Sequence, residues 1–123
     1  MMTKETRQKH FNTVAEHLLK QNAKAFAAFR CAYRTPDGKK CAFGVLIPDE
    51  LYSNKLEGRI VSMDCHIFGP IFTHLKADAG SWDDVRFFRK LQCIHDECDP
   101  IRWKEDLKEF AVNWALGLPE CLQ

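Results

Sequence analysis

Apolar residues recur along this chain at two spacings, and the spacing divides it into elements. From Lys4 to Lys20, Phe11, Val14, Ala15, Leu18 and Leu19 return every three or four positions, while Lys4, Glu5, Arg7, Lys9, Asn12 and Glu16 fall elsewhere. That pattern predicts an amphipathic helix with one buried face. Gln21 to Ala28, Ala-rich with Phe26 and then Phe29, fits either a continuation of the helix or an approach to a strand.

The clearest local signal follows. Cys31 to Arg34 and Lys40 to Phe43 flank Thr35-Pro36-Asp37-Gly38-Lys39. Proline presets φ for the second position of a type I turn, Asp suits the third, and Gly accepts the left-handed conformation next. The expectation is a β-hairpin with a glycine bulge, Arg34 opposite Lys40 and Tyr33 opposite Cys41. Cys31, Tyr33, Cys41 and Phe43 would then face inward, with Cys31 and Cys41 diagonal rather than opposite, poor geometry for a disulfide.

Pro48 opens a short helical turn with Asp49 and Glu50 at its positive end. Leu56 to Met63 reads as loop plus a short third strand at Ile60 and Val61. Ile67, Phe68, Ile71, Phe72 and Leu75 share helical spacing, with Gly69-Pro70 placing the regular start near Pro70. Ser81 with Asp84 three positions on resembles a capping box, opening a helix whose stripe is Val85, Phe88, Leu91, Cys93 or Ile94, and His95. Asp99-Pro100 caps the last helix, striped by Trp103, Leu107, Phe110, Ala111 and Trp114, with Gly117 placed to end it. The fold expected is α+β: one mostly helical domain, residues 1–123, with the hairpin packed on about four helices.

Composition narrows the function. Eighteen basic and 17 acidic residues leave a net charge of +1. Nucleic-acid binders lean on a positive excess, so direct sequence-specific nucleic-acid binding is not expected. No apolar run is long enough for a membrane span, and the N-terminus lacks a signal-peptide core. The protein is therefore read as cytoplasmic, with no membrane partner and with its six cysteines reduced.

Four constellations could carry chemistry. Cys93-Ile94-His95-Asp96-Glu97-Cys98, with Cys65-His66 or Cys31 and Cys41, holds zinc-ligand types, but Cys-x-His-x-x-Cys is no usual zinc knuckle. On a helix Cys93 and Cys98 stand about 140° apart. Cys41 beside Lys39 and Lys40 is the cysteine best placed for nucleophilic activation, yet alternation points it inward. Asp49-Glu50 and Asp83-Asp84 sit in first helical turns, where negative charge is favourable without any catalytic role. The fourth is a binding surface: Arg30, Arg34, Lys39 and Lys40 cluster around the hairpin, Asp37 stands at its tip, and Trp82 is the tryptophan expected at the surface. The site residues expected are Arg34, Asp37, Lys39, Lys40 and Trp82 as partner contacts, with no catalytic residue, no cofactor and no metal.

The run from Cys31 to Gly44, written C-x-Y-R-x-P-x-G-x-K-C-A-x-G, resembles a segment of small accessory proteins of phages and prophages. The resemblance implies a setting in a bacterial host cell and no activity or ligand. Such proteins often work by stoichiometric binding to a host protein, including inhibition of host defence nucleases in the anti-CRISPR manner. The expected function is thus a non-enzymatic interaction protein whose partner is a host protein or nucleoprotein complex. The rival readings are a zinc-stabilised nucleic-acid-binding module and a small cysteine-dependent enzyme.

Overall fold

The computed structural model describes residues 1–123. Its helices form where the apolar stripes lie. Helix α1 spans Lys4–Gln21, with the Thr3 side chain accepting the Thr6 N–H at its start and Asn22 left-handed at its end. Helix α2 is Gly69–His74, with Pro70 in its first turn. Helix α3 spans Trp82–Glu97, and the Ser81 hydroxyl accepts the Asp84 N–H as the capping pattern implies. Helix α4 is Trp103–Asn113, entered through a 3₁₀ turn at Pro100–Arg102. No helix is long and apolar enough to cross a membrane.

The buried faces meet in one cluster of 27 apolar residues. At its centre the Phe43 ring lies 5.2–6.1 Å from those of Phe68, Phe72 and Phe88. Tilted and edge-on aromatic contacts of this kind contribute about 0.5–1.5 kcal/mol each beyond their burial. Asp84 is also fully buried, and its carboxylate accepts the N–H groups of Met2 and Asp78 and pairs with Arg7 at 3.4 Å. It ties the segment before α1 to the start of α3.

Three expectations need correction. The sheet is a two-stranded antiparallel ribbon, β1 Phe26–Ala27 with β2 Arg30–Cys31, one turn earlier than the spacing suggested. The predicted turn does form: Arg34 pairs with Lys40, and the Thr35 N–H donates to the Lys39 carbonyl at 2.9 Å. Its ladder stops there because other groups take the backbone. Glu57 accepts the N–H groups of Tyr33 and Arg34, and the Gln21 side chain bonds the Lys40 N–H and carbonyl. Beyond Cys41 the chain closes into a 3₁₀ turn, Gly44–Leu46. There the Gly44 backbone presses so closely on Tyr33 that a Cβ would sit 2.0 Å from the Tyr33 oxygen.

There is no third strand; at its expected place Ile60 is exposed and Val61 buried. Helix α4 is ended by Ala115 at φ 55°, with the Leu116 N–H returning to the Ala111 carbonyl. Gly117 instead exchanges two hydrogen bonds with the Gln8 side chain where the chain crosses α1.

Candidate functional site

The turn singled out by the sequence is largely occupied by its own protein. Arg34 is 17% exposed: its Nη1 meets Asp49 at 2.9 Å, its Nη2 donates to the Ile47 carbonyl at 2.7 Å, and its plane lies 4.5 Å from the Tyr52 ring centre. Asp37 is engaged by Lys39 Nζ and then by the Thr35 hydroxyl, which together hold its carboxyl down at about 2. The Lys40 backbone carbonyl also accepts from His17 Nε2. Trp82 stands half exposed at the first turn of α3, with the Arg89 guanidinium over its ring at 5.1 Å. Arg34 thus braces the fold, whereas Lys39, Lys40 and Trp82 keep surface.

A different feature emerges between Ala27 and Arg30. The two residues joining β1 to β2, Ala28 and Phe29, have φ of 53° and 65°. A two-residue hairpin loop with both φ positive is a type I′ turn, normally built from Asn and Gly. An L-residue with a Cβ pays about 1–2 kcal/mol in this region. Yet Phe29 stands there with its side chain 98% exposed. The base of the ribbon is what holds it. The Ala32 N–H donates to the Ala25 carbonyl, His95 Nε2 on α3 accepts the Ala25 N–H, and Lys24 Nζ donates to the Asp96 carbonyl. Without Gly or Asn, the sequence carried no turn signal; Phe26-x-x-Phe29 in Ala-rich text was the one available sign.

Beside this ribbon lies a cleft of about 410 Å³, walled by β2, by the loop around Gly58 and by α3. Arg30, Arg59 and Arg89 line it, one from each wall. Arg59 Nε donates to the Lys55 carbonyl and Arg89 Nε to that of Val61. None of the three is paired with a carboxylate of the protein. Two acids also line the cleft, and both are engaged. Glu57 accepts two backbone N–H groups and the Tyr52 hydroxyl. Asp96 Oδ1 accepts from Gln92 Nε2 and from His95 Nδ1, each at 2.7 Å, and the Cys31 thiol lies within 4.8 Å of that carboxylate.

That last cluster tests the two chemical alternatives. Cys31, His95 and Asp96 bring their ligand atoms within 4.8 Å of one another, so the fold does gather soft and hard donors from two segments. Both imidazole nitrogens, however, are committed. The Ala25 amide must donate, so Nε2 is the bare nitrogen and Nδ1 carries the proton it gives to Asp96. A metal on Nδ1 would move that proton to Nε2 and set it against an amide hydrogen. Nucleophilic chemistry meets a similar obstacle, because His95 Nε2, the one bare nitrogen, is held by the Ala25 amide, and the Asp96 carboxylate stands within 4.8 Å of the thiol. Burial first, and then Asp96, pushes the Cys31 thiol up to about 11. Burial likewise pushes Cys41 up to about 12 and raises Cys93, Cys98 and Cys121. A reactive cysteine needs the opposite shift. Of the two alternatives for the α3 stripe, Cys93 is exposed and Ile94 packs partly buried against the core, while Phe87 adds a buried position the spacing had not included.

No family model, curated protein or solved structure matches the chain, so its geometry is the ground on which a function can be read.

Proposed function

We propose that this protein is a non-enzymatic interaction protein of the phage accessory kind, which acts in the bacterial cytoplasm by occupying a host protein. Its contact surface is the tip of the β1–β2 ribbon. The observation that carries this reading is Phe29, 98% exposed at a turn whose two central residues both have positive φ. Exposure of one large aromatic residue is ordinary; exposure on a conformation that costs energy to hold is not. A rigid two-residue turn loses little entropy on binding, and an aromatic anchor at its tip has the character of an interface hot spot. Phe26, paired with Cys31 across the ribbon, adds a second exposed ring. The raised thiols support binding over cysteine catalysis, and a defence nuclease is the class of target proposed by analogy with other small phage accessory proteins.

A photo-crosslinking phenylalanine analogue at position 29 tests the proposal in host lysate. One host protein should be captured, and Phe29→Ser should weaken its binding by at least about 30-fold, near 2 kcal/mol, with the melting temperature held or raised. Equal affinity of wild type and Phe29→Ser for the captured protein would remove the ribbon tip from the interface.

A further inference from the structure

We propose that the cleft beneath the ribbon is an acid-reading pocket, in which Arg30, Arg59 and Arg89 receive carboxylate side chains of an acidic, leucine-bearing peptide segment of the partner. This inference rests on the interaction reading and names the chemistry of its partner.

Three arginines from separate elements line this one cleft, which side-chain solvation alone does not require. Arg30 reaches from β2 over Gly58, where a Cβ would lie 2.6 Å from its Nη1; at φ 80° glycine also suits the backbone. Arg59 stands on the next residue of that loop, and the Tyr33 hydroxyl donates to its carbonyl at 2.5 Å. Arg89 comes from α3, held by the Val61 carbonyl and the Trp82 ring. In each, the terminal nitrogens have no hydrogen-bond partner in the protein, so the forked donors that match a carboxylate remain open.

The nearby acids decide which anion fits. Glu57 and Asp96 keep the cleft from becoming a continuous positive track, and a polyphosphate strand laid along it would meet both. A carboxylate on a peptide can address the arginines singly. The apolar half of the partner is set by Ile60, 70% exposed on the cleft wall, and by Phe26, 57% exposed on the ribbon face that carries Cys31. Charge complementarity together with this apolar rim points to a segment that alternates acidic and aliphatic side chains.

The test uses the full chain and three labelled probes in fluorescence anisotropy: a short peptide alternating glutamate and leucine, the same peptide with lysine for glutamate, and an oligothymidine strand. Both Arg30 and Arg59 are exposed, so Arg30→Gln with Arg59→Gln should keep the wild-type melting temperature. The glutamate peptide should bind saturably, more weakly at about 200 mM than at about 50 mM salt, and at least about tenfold more weakly to the double variant. The lysine peptide should not bind. Lack of saturable glutamate-peptide binding below ~1 mM, or equal binding by the double variant, would overturn the pocket. Tighter, arginine-dependent binding of the oligothymidine strand would overturn it in favour of a phosphate backbone. Because Phe29-dependent capture of a host protein is read separately, its survival alongside a failed peptide assay would refute the pocket alone.

Discussion

His95 and Ala25 are joined across the ribbon base by a hydrogen bond of 2.9 Å in which the backbone amide donates to Nε2. One contact thereby fixes the imidazole tautomer, anchors the strained ribbon to α3 and sets Nδ1–H on Asp96. It turns what looks in sequence like part of a metal-ligand run into a structural strut.

From that strut follows the first prediction. Zinc added to the purified protein should leave its melting temperature unchanged, and a chelator should not lower it, because ligation at Nδ1 would break the Ala25 and Asp96 bonds together. Native mass spectrometry showing one tightly held zinc per chain, with unfolding on its removal, would refute this assignment of His95.

Arg34 supplies the second. The Arg34 side chain is mostly shielded from solvent, bonded to the Ile47 carbonyl and stacked on Tyr52, while its ion-pair partner Asp49 is 87% exposed. Arg34→Glu should destabilise the protein by about 1–3 kcal/mol, since it leaves the Ile47 carbonyl without its donor and puts an unpaired carboxylate in a mostly buried position. Lys40→Glu should change stability by less than about 1 kcal/mol. Chemical denaturation of the two single variants checks this, and equal small effects would show that Arg34 is not a brace.

The two tryptophans of the last stripe should also part company. Trp103 is fully buried, its Nε1–H donates to the Cys98 carbonyl, and His95 stacks at 5.6 Å. Trp103→Ala should cost about 3–5 kcal/mol. Trp114 falls just beyond α4 and stays partly exposed, packed on Phe87 and Phe110 with Arg7 and Arg86 over its ring. Its replacement by alanine should cost roughly half as much. Urea titrations that rank the two in the opposite order would contradict this packing.

Acid sensitivity gives the fourth. Burial lowers the pKa of His10 and His17 below the ordinary 6.5, although each donates to a backbone carbonyl, that of Leu75 and of Lys40. Lys9 and His74 press His10 the same way, as Lys40 presses His17. Below pH 6.5 the unfolded chain takes up protons that the folded protein refuses. Stability is therefore full above that point and falls as pH drops through it toward the lower folded-state values. The melting temperature should be lower at about pH 5.5 than at about pH 7.5, and His10→Gln with His17→Gln should flatten the difference. An unchanged melting temperature across that range would show that neither histidine is held neutral.

What the chain decides locally, its sequence displays. The faces of α1 and α4 follow from three-and-four spacing because an amphipathic helix needs only a core to lie against, whatever that core turns out to be. The Thr35–Lys39 turn follows from Pro36 and Gly38, whose backbone preferences are intrinsic. The proposed contact site was not legible in this way. Whether Arg34 is a free charge or a brace depends on Asp49 and Tyr52 arriving around it, and the ladder beyond Lys40 was ended by Gln21 and Glu57, side chains remote from the turn. Even the ribbon defied its own residues: Ala28 and Phe29 favour negative φ and adopt the opposite because His95 and Asp96, some 70 positions later, hold the strands that they join. Local preferences amount to about 1 kcal/mol per residue, and a few long-range hydrogen bonds to buried groups exceed that. Tertiary structure therefore decided where the exposed aromatic tip and the three unpaired arginines would meet.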